Sequence, residues 1–404
     1  MSAQADSGWD LVVVGAGPAG AATALGALHE NPALRVLLLD RDDFPRDKAC
    51  GDGIAPHVAD VLATVEVHDV GQGWKPLHTL ALRHGGHGVS GRLRRPVWVI
   101  PRRVFDARLV RHATDAGAVL RRQRVRDVRV DRDDRDNPMV DGIEAGVLVG
   151  ADGASSVVRR AVGRPVSGRR AVAIRGYSPT PPGRQGIQEI AYGDRRHPSY
   201  AWAFDRGDGL SNVGYGEFVP DRDDRPTRRL MMEELERLIP GSTEGGTDWR
   251  AHHLPLSGWR PESSASRVLL VGDAAHLINP MTGEGIFYAV ATGVAAGRAA
   301  ARALRDGSPA GAGPRYDRAV GRLLSTHLRH TWAAARLSRS PAVLDAGIHA
   351  AGRDPRAFDA LVELGLGDGR ITPRLAGRLA LGLAAGLTPR SRPGPASHRP
   401  PRRR

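Results

Sequence analysis

Residues 11–20 read LVVVGAGPAG: four consecutive apolar residues run straight into a glycine turn. An unbroken apolar run, rather than an alternating one, marks a strand covered on both faces, as in a parallel sheet. The glycines stand at 15, 17 and 20. That G-x-G-x-x-G spacing serves a tight turn at Gly15, close approach of a phosphate at Gly17 and close helix–strand packing at Gly20. An alanine-rich helix is expected to about His29, then a second strand from Arg35 to Asp40. Right-handed crossover makes the two strands parallel neighbours, and the pyrophosphate of a dinucleotide would rest on the amides and positive end of the intervening helix. Asp40 closes the second strand, where a carboxylate accepts hydrogen bonds from ribose hydroxyls.

Two later stretches repeat the strand-then-turn pattern. GVLVGADGASSVVRR, residues 146–160, places Asp152 and Gly153 just after a strand and before a helix starting near Ser155. VLLVGDAAHLINPMTGEGI, residues 268–286, places Asp273 at a strand end, then Pro280 and a second glycine turn opening a long helix. Asp273 there can hold a ribityl hydroxyl. Amides around Gly283, Glu284 and Gly285 can stabilise negative charge on the N1–C2=O edge of a reduced isoalloxazine. Each stretch alone is a strand-ending turn; the three in this order point to an FAD-dependent oxidoreductase.

Composition bounds the rest. The 404 residues suffice for two joined domains. The formal charge is +14, yet only Lys48 and Lys75 of the 58 basic residues are lysines, and the arginines are interspersed with aspartates. This reads as an arginine-biased composition, with contact to an anionic lipid surface as the lesser reading and no nucleic-acid partner. Cys50 is the single cysteine, so no intramolecular disulfide and no cysteine-based zinc site can form, and no metal is expected. Met1–Asp10 lacks the layout of a secretory signal, and no uncharged apolar run reaches the roughly 18–20 residues of a membrane span. The expected location is the cytoplasm, with any membrane contact peripheral, at its inner face.

The expected fold class is α/β: a Rossmann-like FAD-binding domain with an interleaved antiparallel-sheet substrate domain and a helical C-terminal region. Short β-type runs punctuated by Gly and Pro, including Tyr200–Phe204 and Leu210–Phe218, assign 77–100 and 166–261 to the sheet domain. Residues 8–76, 101–165 and 262–310 form the discontinuous FAD-binding domain. A helical region covers 311–390, and 391–404, rich in Pro and Arg, reads as a disordered basic tail.

Several of these motifs together resemble the geranylgeranyl reductase family of FAD-dependent oxidoreductases, within the p-hydroxybenzoate hydroxylase-like flavoproteins. They are the Gly15–Gly20 turn, FPRDKACGDGIAP from Phe44, the Arg103–Asp106 helix start, the Gly150–Gly153 motif, YAWAF from Tyr200, NVGYG from Asn212, and GDAA with NPMTGEGI. Coverage runs from about residue 10 to about residue 310. The resemblance implies a βαβ domain of the GR2 type that holds FAD through Gly15, Gly17, Ala19, Gly20, Asp40 and Arg41. Lys48 and Ala49 would lie near the isoalloxazine, with Arg103, Asp152, Gly153 and Asp273 along the cofactor and Pro280, Gly283, Glu284, Gly285 and Ile286 at its reactive end. It also implies an apolar tunnel over the flavin lined by Tyr200, Trp202 and Phe204, which share one face of a strand at spacing two. Cys50 and Gly51, and the polar His276, are the candidates for a catalytic role.

Two departures keep a second outcome open. Asp205 stands where the family's aromatic strand continues into proline, and a histidine at 276 after GDAA is more typical of the related hydroxylases. Reduction of C=C bonds in an isoprenoid or other apolar substrate by hydride from the flavin is one expectation; hydroxylation or epoxidation with NAD(P)H and O₂ is the other. Trp98–Pro101 matches only the end of a halogenase WxWxIP segment. No second glycine-rich nicotinamide fold is visible, so NADPH or NADH would bind transiently as electron donor, with Asp152–Arg160 as a weak candidate surface.

Overall fold

The structure, a computed structural model, describes residues 8–131, 136–164, 170–196, 199–219, 225–264 and 266–386; the basic tail from 391 lies outside them. The quoted apolar run is the strand Trp9–Val14, whose Leu11, Val12 and Val13 have no exposed surface. It pairs in parallel with Val36–Asp40 on one side and Ile143–Gly150 on the other. Val119–Arg122 and Val268–Leu270 extend the sheet at its two ends, also in parallel. Val128–Arg129 and Met139–Val140 add a small antiparallel hairpin to Ile143–Gly150.

Helix Pro18–Glu30 is buried from Pro18 through Leu28, because helix Ile286–Arg305 lies directly on it. Their shared face is made of Ala, Gly and Thr, which lets two backbones approach closely. Thr23 and Thr292 satisfy their buried hydroxyls on the carbonyls one turn back, Ala19 and Tyr288.

The second sheet has eight strands in the order Thr247–Pro255, Arg170–Pro179, Leu210–Val219, Tyr200–Asp205, Ile187–Tyr192, Leu77–His84, His87–Val99 and Gly53–Ile54. Every ladder is antiparallel except that between Ile187–Tyr192 and Leu77–His84, which is parallel. The exception has a topological cause: these strands belong to different excursions from the first sheet, so no hairpin dictates their relative direction. Gly53–Ile54, reached from the first layer, closes the far edge.

Four helices follow the long one: Ala312–Leu337, Pro341–Arg353, Pro355–Leu366 and Pro373–Gly386. The second and third of these pack on the Leu77–His84 and His87–Val99 strands, burying Ile348, Ala351 and Phe358 against Leu80, Leu82 and Leu93. Two proline-started helices meet at Asp354, whose carboxylate accepts from Arg356 N–H and holds Arg374 and Arg378 at 2.8 and 3.2 Å. Among the described residues no helix is long and apolar enough to cross a membrane.

Candidate active site

One cavity of about 1090 Å³ runs between the two sheets and under the C-terminal helices. Asp40, Asp152 and Asp273, ends of three separate parallel strands, all line it. This is the carboxyl edge of the sheet, where open α/β folds place their ligands.

At one end lies the glycine turn. Gly15 has φ +97°, and a Cβ there would fall 2.4 Å from Ala151 O. One at Gly20 would fall 1.8 Å from Gly15 O, so this glycine serves packing while Gly15, Gly17 and Ala19 face the cavity. Asp40 accepts from Ala16 N–H at 2.8 Å and Asp42 N–H at 3.0 Å; it braces the turn and retains lone pairs for a further donor. Helix Pro18–Glu30 starts without a side-chain cap, leaving its first amides available to an anion. Asp152 accepts from Val157 N–H at 2.6 Å through one oxygen, while its buried Oδ1 has no partner. These are features of a pyrophosphate and ribityl cradle.

The arginine that reaches the cavity here is Arg102, not Arg103. Helix Arg102–Asp115 turns Arg103 to solvent and Arg102 into the cavity. A helix start fixes which of two adjacent arginines points inward only through its packing, so the sequence position was off by one. Arg102 makes a bidentate pair with the fully buried Asp106 at 2.6 and 2.8 Å, and Arg46 reaches the same carboxylate at 3.1 Å.

Around the middle, Lys48 meets Asp273 at 3.3 Å. Burial works to raise the Asp273 carboxyl, but Lys48 and the neighbouring His252 hold it below its usual value. His252, which the sequence did not single out, is pushed down to about 4, by burial first and then by Lys48.

Cys50 and Gly51 line the cavity. Burial pushes the Cys50 thiol up, against the nearby Arg102 charge, so at neutral pH it carries its proton. The loop is bolted to the second sheet through Asn212, which donates to Cys50 O at 2.9 Å and to Asp52 at 2.8 Å and accepts from Trp202 Nε1 at 2.8 Å. Tyr200, Trp202 and Phe204 form one wall with ring centroids 5.9 and 6.4 Å apart. A Cβ at Gly214 would sit 2.2 Å from the Trp202 ring, which accounts for a glycine in the NVGYG strand.

Asp52 also lines the cavity, has no exposed surface and accepts the Tyr177 hydroxyl at 2.6 Å. Burial raises its carboxyl to about 6, over the opposing effects of Tyr177, Arg175 and Asn212. Because the folded value exceeds the unfolded 3.8, the native state holds this proton across that window and stability falls as pH rises through it. Asp52→Asn is expected to remove this component, so that wild-type minus variant stability drops by about 3 kcal/mol between about pH 4 and about pH 6 and stays flat above. Urea unfolding of the apoprotein at stepped pH measures this; parallel curves for the two proteins would refute it.

His276 lies elsewhere. It adopts a left-handed conformation beside Arg159, outside the cavity wall, and burial followed by the Arg159 charge pushes its imidazole down to about 4. It is not among the residues that line the cavity, which corrects the expectation of a catalytic histidine there.

The far half of the cavity was not legible in any motif. Its walls are Leu80, Leu82, Val97 and Ile190 from the sheet and Leu344, Ile348, Leu361, Leu375 and Leu379 from the C-terminal helices. This roof is stitched to the NPMTGEGI turn, whose Pro280, Gly283, Glu284, Gly285 and Ile286 line the cavity. Asn279 donates to Leu364 O at 3.0 Å and Thr282 to Gly365 O at 2.8 Å. His57 pairs with Glu363 at 2.8 Å.

Comparisons with known proteins agree with this geometry. Residues 9–313 match the family described as FAD binding domain. A menaquinone reductase of Mycobacterium tuberculosis is 35% identical over 317 residues, 71% of this chain and 75% of the relative. A digeranylgeranylglycerophospholipid reductase of Methanothrix thermoacetophila is 28% identical, covering 79% of this chain and 85% of the relative. The crystal structure of a geranylgeranyl bacteriochlorophyll reductase-like protein from Thermoplasma acidophilum superposes with a TM-score of 0.75 at 18% identity, over 94% of this chain and 98% of the other. The resemblance read from the motifs and the expected fold class are both borne out.

Proposed function

We propose, from the premise that this chain belongs to the FAD binding domain family, that it reduces a carbon–carbon double bond in an apolar, isoprenoid-bearing lipid or quinone. That it is an FAD-dependent oxidoreductase follows from the family and the relatives. The observation that carries the finer reading is the aliphatic far half of the cavity, continuous with the cradle and closed by Leu344, Ile348, Leu361, Leu375 and Leu379. Such a wall binds a chain of methyl and methylene groups by burial, at about 25 cal/mol per Å² of apolar surface. The names of the two relatives point to a quinone and to a geranylgeranyl lipid.

FAD would lie along Gly15, Gly17, Ala19, Asp40 and Arg41, with Asp152, Gly153, Asp273 and Arg102 beyond them and the Gly283–Ile286 turn at its reactive end. When reduced, it supplies hydride to one alkene carbon. The protein's contribution is position and dryness: an isolated alkene is a poor electrophile, so it must be held against the flavin with water excluded. Tyr200, Trp202 and Phe204 provide a flat wall for that, kept rigid because Tyr200 donates to Thr282 O and Trp202 to Asn212. The Cys50 thiol, protonated and next to Arg102, is a polar group at the junction of the two halves. NADPH or NADH as a transient donor completes the cycle.

The test is product mass. Reduced holoenzyme incubated without oxygen with geranylgeranyl lipid, or with menaquinone that is returned to the quinone by air before weighing, is expected to yield product heavier by two hydrogens in its isoprenoid chain. Gain of one oxygen in aerated samples, with no hydrogenated product, would replace this reading by oxygenation.

A further inference from the structure

Hydride transfer to an alkene leaves an electron pair at the second carbon, and a buried site must deliver a proton there. Glu284 lines the cavity at the turn that opens helix Ile286–Arg305, on the border between the cofactor cradle and the aromatic wall. Its Oε1 accepts Phe287 N–H at 2.8 Å, which uses one of its two oxygens. The turn holds it firmly: Asn279 N–H donates to Glu284 O at 2.8 Å, Gly283 N–H to Asn279 O at 2.9 Å, and the Tyr200 hydroxyl to Thr282 O.

Resting on the alkene-reductase reading, the geometry points to Glu284 as the group that protonates the carbon that does not receive hydride. The hydride pair forms one C–H bond as the π bond breaks. The electron pair left on the other carbon takes the Glu284 proton, and the carboxylate regains one from water. The alkene gains two electrons, the reduced flavin loses two, and a nicotinamide donor restores them.

The surroundings suit this role. The helix N-terminus and the Phe287 N–H favour the carboxylate, and so do the charges of His57 and Arg102, yet burial outweighs them and lifts Glu284 to about 7. The other ionisable groups that feel Glu284 are Cys50, Tyr200 and Tyr288, all with raised values and neutral near pH 7. Negative charge on a reduced cofactor held beside this turn would raise Glu284 further.

The experiment uses FAD-loaded full-length protein. The flavin absorption spectrum is titrated with pH in the wild type, Glu284→Gln and His57→Gln. Separately, enzyme reduced with dithionite and freed of excess reductant is mixed without oxygen with geranylgeranyl lipid, in which the reducible groups are alkenes, and flavin reoxidation is timed. The wild-type spectrum is expected to show a transition near pH 7, absent in Glu284→Gln and moved to higher pH in His57→Gln, which removes a charge favouring the carboxylate. Reoxidation by alkene is expected to slow by about 100-fold or more in Glu284→Gln, with partial recovery in Glu284→Asp. Unchanged reoxidation in Glu284→Gln, or identical spectral titrations with and without the carboxyl, overturns the proton role and leaves the alkene reaction standing. Wild-type enzyme that reduces no alkene overturns both.

Discussion

Gly297→Leu is expected to unfold the protein or strip it of flavin. A Cβ at Gly297 would lie 2.0 Å from Thr23 O and 2.6 Å from Ala27 N, both backbone atoms of helix Pro18–Glu30. Neither can rotate away, so the two helices must separate along the small-residue face they share. Overpacking of a well-filled core costs typically about 1–3 kcal/mol, and more where backbone must move. Any shift of helix Pro18–Glu30 also moves its N-terminus, on which the diphosphate is expected to rest. The control is Gly377→Ala on the exposed face of helix Pro373–Gly386, where nothing lies within 4 Å of the added Cβ and alanine is favoured by up to about 1 kcal/mol. Thermal unfolding and flavin content of the purified proteins separate the two; a Gly297→Leu protein with wild-type melting and full flavin would contradict the packing argument.

The second large effect is at Asp106. Its carboxylate has no exposed surface and holds Arg102 and Arg46 together. Asp106→Leu leaves the Arg102 guanidinium buried without a counter-charge, a situation that costs about 3–5 kcal/mol. Adding Arg102→Met removes the stranded charge, and an apolar pair of similar volume often restores stability. The double variant is therefore expected to recover most of the loss in a urea titration while still binding FAD poorly, since Arg102 lines the cavity. Equal stability of the single and double variants would show that Arg102 finds another partner, and the pair would then be no more than a local contact.

The first layer was readable because its chemistry is local. Leu11–Val14, the glycine spacing and Asp40 lie within thirty residues of one another, and helix, turn and strand each declare themselves over that distance. Asp152 and Asp273 were legible for the same reason, each being a strand end followed by a turn. The Arg102–Asp106 pair was missed by one position because only packing decides which side of a helix start faces the ligand. His276 lies next to Asp273 in its motif but off the cavity lining, because the left-handed turn at 276 ends the segment that Asp273 belongs to. The roof left no trace in any motif: Leu344, Ile348, Leu361 and Leu375 read as ordinary helical core, and that they face a cavity follows only from contacts across some 250 residues of chain. Asp52 and Glu284 lay inside motifs, but their raised carboxyls come from burial among groups on five different elements.

The seam at Asn279 and Thr282 bears on how such a protein can acquire new substrates. Both side chains donate to main-chain carbonyls, those of Leu364 and Gly365, so these two bonds do not depend on which side chains the helices above carry. Leucines there can be exchanged for bulkier or smaller residues, shortening or lengthening the pocket like a sliding ruler, while the catalytic end keeps its shape. A grafted replacement for residues 341–379 has to supply that carbonyl pair, a carboxylate for His57 and an apolar face for Leu80, Leu82 and Leu93.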